Sequence, residues 1–181
     1  MPPLKLPLLP LSILDYDRTI LLYGDITTDL SRQIVTKLLE LDALSRKPIE
    51  LIISSEGGNF LDVLAIIDTI RMLRSPVHTT GIGACLSGAA VLLAAGTPGH
   101  RHLGKNSWVM LHELHADMPL KRIHDLDIEH RWNRDLNQEM IDLLAEFSGC
   151  VSASKLSKLL RNDYVLLPER VLELGLIDEI F

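Results

Sequence analysis

The sequence predicts an α/β protein with a mainly parallel sheet and flanking helices, and three observations support that class. Short aliphatic runs alternate along the chain with longer segments whose apolar residues recur every three or four positions. Turns that contain glycine separate several of these segments. Hydrophobic residues make up 47% of the chain but aromatic residues only 4%, so the core is expected to be aliphatic. Strands that alternate with helices usually form a parallel sheet covered by helices.

Five strands are predicted from short apolar runs that end at turns. The runs are RTILLYG at 18–24, PIELIIS at 48–54, VHTTGIG at 77–83, SWVMLHE at 107–113 and GLIDEIF at 175–181. Between the third and fourth runs, GTPGHRHLGKN at 96–106 combines Gly, Pro and polar residues, which predicts a loop. Functional residues are expected in the loops at the carboxyl ends of the strands, where parallel sheets carry their chemistry.

Helices are predicted between the strands from the spacing of apolar residues. The first starts at Thr28, whose hydroxyl can cap it, and the second follows the glycine turn SSEGGN at 54–59. A third begins near Ser87, and a last short helix begins near Pro168. Apolar residues also recur at steps of three and four over 125–147, which predicts a long helix that stops at the following SGC.

Length and charge argue against several classes of protein. With 181 residues the chain is long enough for one domain and too short for two ordinary ones. A net charge of -6 argues against a nucleic-acid partner, because phosphate-binding surfaces are basic. None of the apolar segments reaches the roughly 20 residues that span a bilayer, which argues against a membrane protein.

The N-terminal segment and the two cysteines indicate a cytoplasmic protein. MPPLKLPLLPL at 1–11 contains four prolines and no continuous apolar stretch, so it resembles neither a signal peptide nor a transit peptide. Cys85 lies in an apolar run and Cys150 follows a glycine, which favours two reduced structural thiols over a disulfide. Reduced thiols are typical of the cytoplasm.

A single serine within an apolar run is the first candidate for chemistry. Ser87 carries the one hydroxyl in GACLSGAAVLLAAG at 83–96, where small residues usually serve packing. The residue alone therefore leaves two interpretations open, a packing residue and a nucleophile. A nucleophilic serine needs a base, a group that orients the base, and N–H donors for the oxyanion.

Other segments of the chain offer these groups. Gly57 and Gly58 let the backbone bend and expose N–H groups, and the start of the third helix leaves the Gly88 N–H without an intrahelical partner. His112 ends an apolar strand, which makes it the best candidate for the base. HELHAD at 112–117 matches no strong metal-ligand spacing, so neither a metal site nor a cofactor is predicted.

Four features together closely resemble the proteolytic subunits of the Clp protease, the ClpP family. They are SSEGGN, Ser87 placed 29 residues after Gly58, MLHEL with His112 placed 25 residues after Ser87, and RNDYVLLPERVLELGLID at 161–178. The similarity runs from about Tyr16 to the C-terminus. It implies a ClpP/crotonase-type fold in one ClpP-like peptidase domain over 1–181, with 1–15 as an axial segment and 121–147 as the handle helix between rings.

The resemblance also implies a role for each candidate residue. The nucleophile, the general base and the two oxyanion donors of the family match Ser87, His112, Gly58 and Gly88. The third triad member of the family is an Asp six residues before the proline of the last segment, and Asn162 stands at that position. A one-residue shift in the alignment places Asp163 there instead.

Three departures from the family pattern bear on activity. An asparagine accepts the N–H of the histidine but does not neutralise the imidazolium, so Asn162 predicts low intrinsic activity or a latent enzyme. Glu56 occupies the position of a proline, and a carboxylate there opposes a developing oxyanion. The segment ELHADMPLKRIH at 113–124 contains no glycine where the family has a glycine-rich segment that pairs with substrate.

The resemblance implies a serine endopeptidase subunit that cleaves peptide bonds inside an oligomeric ring chamber. Heptameric rings, two of which stack into a tetradecamer, are expected, with unfolded proteins or peptides as substrates. A paralogous ClpP subunit and an AAA+ unfoldase are the expected partners. Two other interpretations stay open: a catalytically inert structural subunit of a mixed Clp ring, and a crotonase-like acyl-CoA enzyme that shares the oxyanion turn without the serine nucleophile.

Overall fold

A seven-stranded sheet organises the residues that the computed structural model describes, which are 16–114, 123–160 and 164–181. The strands are β1 Thr19–Tyr23, β2 Ile49–Ser55, β3 Val77–Leu86, β4 Arg101–Leu103, β5 Trp108–Leu111, β6 Tyr164–Leu166 and β7 Glu179–Ile180. The helices are α1 Thr28–Leu44, α2 Phe60–Met72, α3 Gly88–Ala94, α4 Ile123–Ser148, α5 Ala153–Leu160 and α6 Pro168–Glu173. Strands and helices alternate over much of the chain, as the sequence predicts.

Strand β3 lies at the centre of the sheet. The order of the main path is β1, β2, β3, β4 and β7, and all of these neighbours are parallel. The first half of β3 pairs with β4 and its second half pairs with β5, because Thr79 lies opposite Arg101 while Leu86 lies opposite Met110. β6 adds to β5 in antiparallel orientation. The predicted α/β class with a mainly parallel sheet is confirmed.

One face of the sheet is buried against helices, and its core is aliphatic as the composition predicts. In β2 the side chains of Ile49, Leu51 and Ile53 are fully buried, whereas the residues between them are only half-buried. The buried side chains pack with those of the helices in one hydrophobic cluster. The opposite face leaves large apolar side chains exposed, namely Leu21, Tyr23, Ile82 and Trp108.

The prediction of a loop at 96–106 is wrong in part, because Arg101–Leu103 form β4 between β3 and β7. Arg101 is 5% exposed, and its guanidinium donates to the two carboxylate oxygens of Asp178 at 2.6 and 2.9 Å and to the Phe147 carbonyl at 2.8 Å. The ion pair gives the guanidinium of Arg101 its hydrogen-bond partners, so this polar residue can lie in a buried strand although the composition of the segment predicts a loop. Burial raises the pKa of Asp178, but the Arg101 hydrogen bonds outweigh that effect and hold the pKa below its usual range.

Other elements differ from the sequence prediction in smaller ways. Thr27, not Thr28, caps α1, since its hydroxyl accepts an N–H of the first turn at 3.3 Å. The Thr28 hydroxyl instead donates to the Asp62 carboxylate at 2.9 Å. The terminal strand covers Glu179–Ile180 rather than 175–181, because the preceding residues form the turn after α6. The short elements α5 and β6 are not predicted from the sequence.

The predicted long helix is present as α4. It ends at Ser148, and Gly149 follows with a φ of +64°, a conformation that commonly ends a helix. The implied handle helix at 121–147 corresponds to α4, although residues 121 and 122 lie outside the described residues. Among the side chains of α4 that the structure describes, from residue 128 onward, the large apolar Ile128 and Trp132 are exposed.

The implied axial segment at 1–15 lies outside the described residues. So does most of the segment at 113–124 that lacks the glycines of the family. Within the described ranges, the helices are too short or too polar for any of them to span a bilayer.

We expect Asp178→Asn to lower the free energy of unfolding by about 2 kcal/mol near neutral pH, because it removes the anionic partner of a buried guanidinium. The difference from wild type is expected to be full above the ordinary Asp pKa of about 4 and to close as the pH falls below it. The pKa of Asp178 is depressed because the fold stabilises its ionised carboxylate, so this stabilisation is lost when the carboxylate is protonated. Urea unfolding at several pH values measures both effects.

Glu173→Gln is the matched control for this prediction. It removes an exposed ion pair with Arg170 and is expected to change the free energy of unfolding by less than about 0.5 kcal/mol. Equal stability of Asp178→Asn and wild type at neutral pH contradicts the role given to the buried pair.

Candidate active site

Ser87 occupies a sharp turn between β3 and α3. The strand ends at Leu86 and the helix begins at Gly88. Its φ is 54° and its ψ is -124°, and among the described residues it is the only non-glycine residue with a positive φ. This backbone conformation is costly for a residue with a side chain, so the surrounding structure must hold it. A strand, a strained turn and a helix in this order project the side chain of the turn residue out of both elements.

Hydrogen bonds fix the backbone of Ser87 and leave its hydroxyl out of the helix cap. The Ser87 N–H donates to the Met110 carbonyl at 2.8 Å, and the Ala90 N–H donates to the Ser87 carbonyl at 3.0 Å. The hydroxyl makes no capping hydrogen bond to α3. A packing residue has no need of this strain, because glycine would adopt the same backbone conformation at lower cost. The conformation therefore favours the nucleophile over the packing residue.

The glycine turn after β2 packs directly against the Ser87 turn. A Cβ atom on Gly57 would lie 2.8 Å from both the Leu86 carbonyl oxygen and the Ser87 Cβ, and 3.1 Å from the Gly88 nitrogen. A Cβ atom on Gly58 would lie 2.3 Å from the Ile26 carbonyl oxygen. Both glycines also have positive φ values, so only glycine fits either position.

The backbone N–H groups of this turn differ in what they bind. The Gly57 N–H donates to the Ser55 hydroxyl at 3.0 Å, and the Asn59 N–H donates to the Ile26 carbonyl at 3.1 Å. No acceptor within the described ranges takes the N–H of Gly58, which lies between them. Gly88 is the first residue of α3, where an N–H has no intrahelical acceptor. The structure therefore brings together the turns of both predicted oxyanion donors, whose role stays a prediction.

His112 follows β5 directly, at the same end of the sheet as Ser87. Leu86 of β3 pairs with Met110 of β5, so the two parallel strands end side by side. The His112 side chain is half-buried, and its Nδ1 lies 2.5 Å from the Glu113 carbonyl oxygen. Because a carbonyl only accepts, this partner assigns the proton to Nδ1 and leaves Nε2 as the nitrogen that can take up a proton.

Not every contact of a serine triad is present in the described part of the chain. Ser87 and His112 share no hydrogen bond there. Asn162 and Asp163, the candidates for the third member, lie outside the described residues. The residue after them, Tyr164, pairs with Leu111, the residue before His112. The strand that follows the two candidates therefore begins beside the candidate base.

An open groove of about 540 Å³ borders the glycine turn, and its charged lining is entirely acidic. Glu56, already a candidate from the sequence, and Asp25 are exposed in this lining, whereas Asp62 is half-buried and accepts a hydrogen bond from the Thr28 hydroxyl. Asp25 and Asp62 are not among the residues predicted from the sequence, although their positions after β1 and at the start of α2 are a signal for a site in a parallel sheet. The groove places negative potential beside Gly58, one of the two candidate oxyanion donors.

Cys85 lies two residues before Ser87 and is not a competing nucleophile. Its side chain is fully buried, and burial raises the pKa of the thiol to about 12. A thiol with so high a pKa supplies almost no thiolate near neutral pH. Elsewhere in the described ranges, no group of three or more His, Cys, Asp or Glu side chains is placed to hold a metal ion.

Comparisons with known proteins bear on the family of the chain. A model of the Clp protease family matches residues 9–181. The ATP-dependent Clp protease proteolytic subunit 1 of Corynebacterium glutamicum is 33% identical over 173 residues, which cover 95% of this chain and 83% of the relative. Subunit 2 of Corynebacterium jeikeium is 32% identical over 173 residues, covering 95% and 82%. Subunit 3 of Synechococcus sp. (strain CC9605) is 34% identical over 168 residues, covering 92% and 84%.

These similarities cover nearly the whole chain, including the serine turn, the glycine turn and the strands that carry them. The chain therefore belongs to the Clp protease family, whose proteolytic subunits are serine peptidases.

Proposed function

We propose that this chain is a serine endopeptidase subunit with Ser87 as nucleophile, His112 as general base, and the N–H groups of Gly58 and Gly88 as oxyanion donors. One observation carries the assignment, the strained Ser87 backbone against which the Gly57 turn packs. A serine held in this way beside N–H groups at a helix start is the arrangement that acyl transfer requires.

The proposed reaction proceeds in two proton-coupled steps. In the first, the Ser87 Oγ attacks the peptide carbonyl while Nε2 of His112 takes up the hydroxyl proton. The two N–H donors hold the resulting oxyanion, and His112 then gives the proton to the leaving amine, which leaves an acyl ester on Ser87. In the second step water attacks the ester carbon and gives a proton to His112; the bond from that carbon to the Ser87 oxygen then breaks, the Ser87 oxygen takes the proton back, and the carboxylic acid leaves.

Neutral acceptors orient the base in this proposal. The Glu113 carbonyl accepts the Nδ1–H of His112, and the resemblance assigns a similar amide oxygen to Asn162. The amide oxygen of Asn162 lacks the negative charge that stabilises an imidazolium, so we infer low intrinsic turnover. Asp163 is the alternative third member, and the pairing of the next residue, Tyr164, with β5 supports a contribution from this segment.

The Clp protease family works as oligomeric proteolytic assemblies together with Clp ATPases. For this chain we propose one peptidase domain that forms heptameric rings stacked into a tetradecamer in the cytoplasm, with 1–15 as axial segment and 121–147 as handle helix. The exposed Ile128 and Trp132 of α4 support the handle, because exposed apolar side chains favour a partner surface. A paralogous ClpP subunit, an AAA+ unfoldase and unfolded polypeptides complete the proposed partners.

An inert structural subunit of a mixed ring is the second candidate function. Two observations favour it: Ser87 and His112 share no hydrogen bond within the described residues, and the sequence has Asn162 at the third triad position. It predicts assembled rings without turnover. The crotonase-like acyl-CoA enzyme has less support, because that chemistry gives no reason for a strained serine at the turn.

We expect a fluorophosphonate probe to form an adduct on Ser87 of the purified oligomer, because an activated serine attacks phosphorus as it attacks a carbonyl. Intact-mass measurement detects the adduct, and Ser87→Ala is expected to abolish it. Ser54→Ala, a serine change in β2, is the matched control and is expected to label within about twofold of wild type. An assembled oligomer that forms no adduct favours the inert subunit.

We expect Asn162→Asp to raise kcat by about tenfold or more with little change in KM, because a carboxylate stabilises the imidazolium formed in the transition state. Hydrolysis of a fluorogenic peptide measures both constants. Asp163→Asn is the matched variant, and kcat is expected to stay within about twofold of wild type. If Asp163→Asn lowers kcat strongly and Asn162→Asp does not raise it, Asp163 is the third triad member instead.

We expect Glu56→Gln to raise kcat by about two- to fivefold, because it removes a negative charge from the groove that Gly58, a proposed oxyanion donor, lines. The gain is expected to shrink as salt is added, since Glu56 is exposed and salt screens its charge. Glu40→Gln on the exposed side of α1 removes the same charge away from the groove and serves as the control. An unchanged kcat in Glu56→Gln contradicts an electrostatic effect on the oxyanion.

A further inference from the structure

We propose that Ser55 is a positioning residue for the oxyanion site, and the inference rests on the proposed peptidase function. Its hydroxyl binds the Gly57 N–H, so that the next N–H in the chain, that of Gly58, is the one presented to substrate. Ser55 itself does not touch the reacting atoms in this proposal. It acts through the conformation of the glycine turn.

The environment of Ser55 fits this role. It is the last residue of β2, only 3% exposed, and it pairs with Cys85 after a register shift between Ile53 and Ser55. A hydroxyl buried at that depth needs a hydrogen-bond partner, and the Gly57 N–H at 3.0 Å supplies one. From the sequence alone, Ser55 is recognised only as part of the SSEGGN turn.

The hydrogen bond decides which N–H group of the turn remains available. The chain leaves β2 and passes Ser87 at Gly57, which is buried and has a φ of +99°. The Gly57 carbonyl accepts the Ile26 N–H at 2.7 Å, and the Asn59 N–H donates to the Ile26 carbonyl. The Gly58 N–H shares its peptide plane with the Gly57 carbonyl, so the bond from Ile26 to that carbonyl and the bond from the Gly57 N–H to Ser55 together set its direction.

Removing the hydroxyl leaves a buried N–H without its acceptor. The Gly57 N–H then gains a partner only if the Glu56–Gly57 peptide rotates. Such a rotation changes the φ of Gly57, which joins this peptide to the Gly57–Gly58 peptide, and so shifts the direction of the Gly58 N–H. The loss is therefore expected in the stabilisation of the oxyanion, which forms after substrate binds.

The first test compares Ser55→Ala with Ser54→Ala in the full assembled oligomer. Ser54 lies next to Ser55 on the opposite, half-buried face of β2, so the same atoms are removed on the side away from the turn. For Ser55→Ala we expect kcat on a fluorogenic peptide to fall by about tenfold and KM to stay within about twofold, whereas Ser54→Ala is expected to keep both within about twofold. The affinity for a peptide boronate, which mimics the tetrahedral intermediate, is expected to fall in parallel with kcat.

Two kinetic results overturn the proposal. One is a Ser55→Ala oligomer with the kcat and boronate affinity of wild type. The other is a loss confined to KM, which places Ser55 in ground-state binding. If Ser55→Ala does not assemble, Ser55→Cys replaces it, because a thiol fills nearly the same space and accepts a hydrogen bond weakly.

The second test does not depend on turnover. Hydrogen exchange of the oligomer, resolved to single amides by fragmentation in the mass spectrometer, compares Gly57 with Gly58. We expect the Gly57 amide to exchange at least about tenfold more slowly than the Gly58 amide in wild type, and the difference to disappear in Ser55→Ala. Equal exchange of the two amides in wild type overturns the proposal. The two proposals can fail separately. If the exchange pattern is observed but no fluorophosphonate adduct forms, the Ser55 hydrogen bond is confirmed and the proposed peptidase function is contradicted.

Discussion

The contact between the Gly57 turn and the Ser87 turn is the constraint on which the candidate site depends. The two turns follow β2 and β3, which are parallel neighbours, so the register of these strands sets the distance between the turns. Gly57 has no space for a side chain on the side that faces Ser87, and Ser87 adopts a backbone conformation that needs support from its surroundings. The geometry of the site is therefore a property of the sheet as a whole.

Much of the fold could be predicted from the sequence because the periodicity of apolar residues is local information. The strand β2 and the long helix α4 follow directly from such patterns. Strand β4 does not, because the partner that buries Arg101 is Asp178, 77 residues away in the sequence. Likewise, the residue types at Gly57 and Ser87 suggest a site, but the strain at Ser87 and its close contact with Gly57 arise only when two turns meet in space.

The backbone of the candidate site suits acyl transfer better than the charges around it do. The backbone arrangement is well suited to acyl transfer, with a fixed serine turn and N–H groups beside it. The charges nearby are less favourable for the proposed chemistry, because the sequence has the uncharged Asn162 at the third triad position and the groove at the glycine turn carries Glu56 and other acids. Both features oppose the charge separation of the same step, formation of the tetrahedral intermediate. Differences in activity among related chains can therefore arise without any change in the backbone.

The two cysteines give the molecule a built-in attachment point for spectroscopic labels. Cys85 is shielded inside the sheet with a pKa of about 12, whereas Cys150 is a free, exposed thiol just beyond the end of α4. A maleimide dye added near neutral pH reacts with accessible thiols that can ionise, so it selects Cys150 without removal of the other cysteine. Fluorescence energy transfer between donor- and acceptor-labelled copies of the natural sequence then reports how copies of the chain exchange between particles.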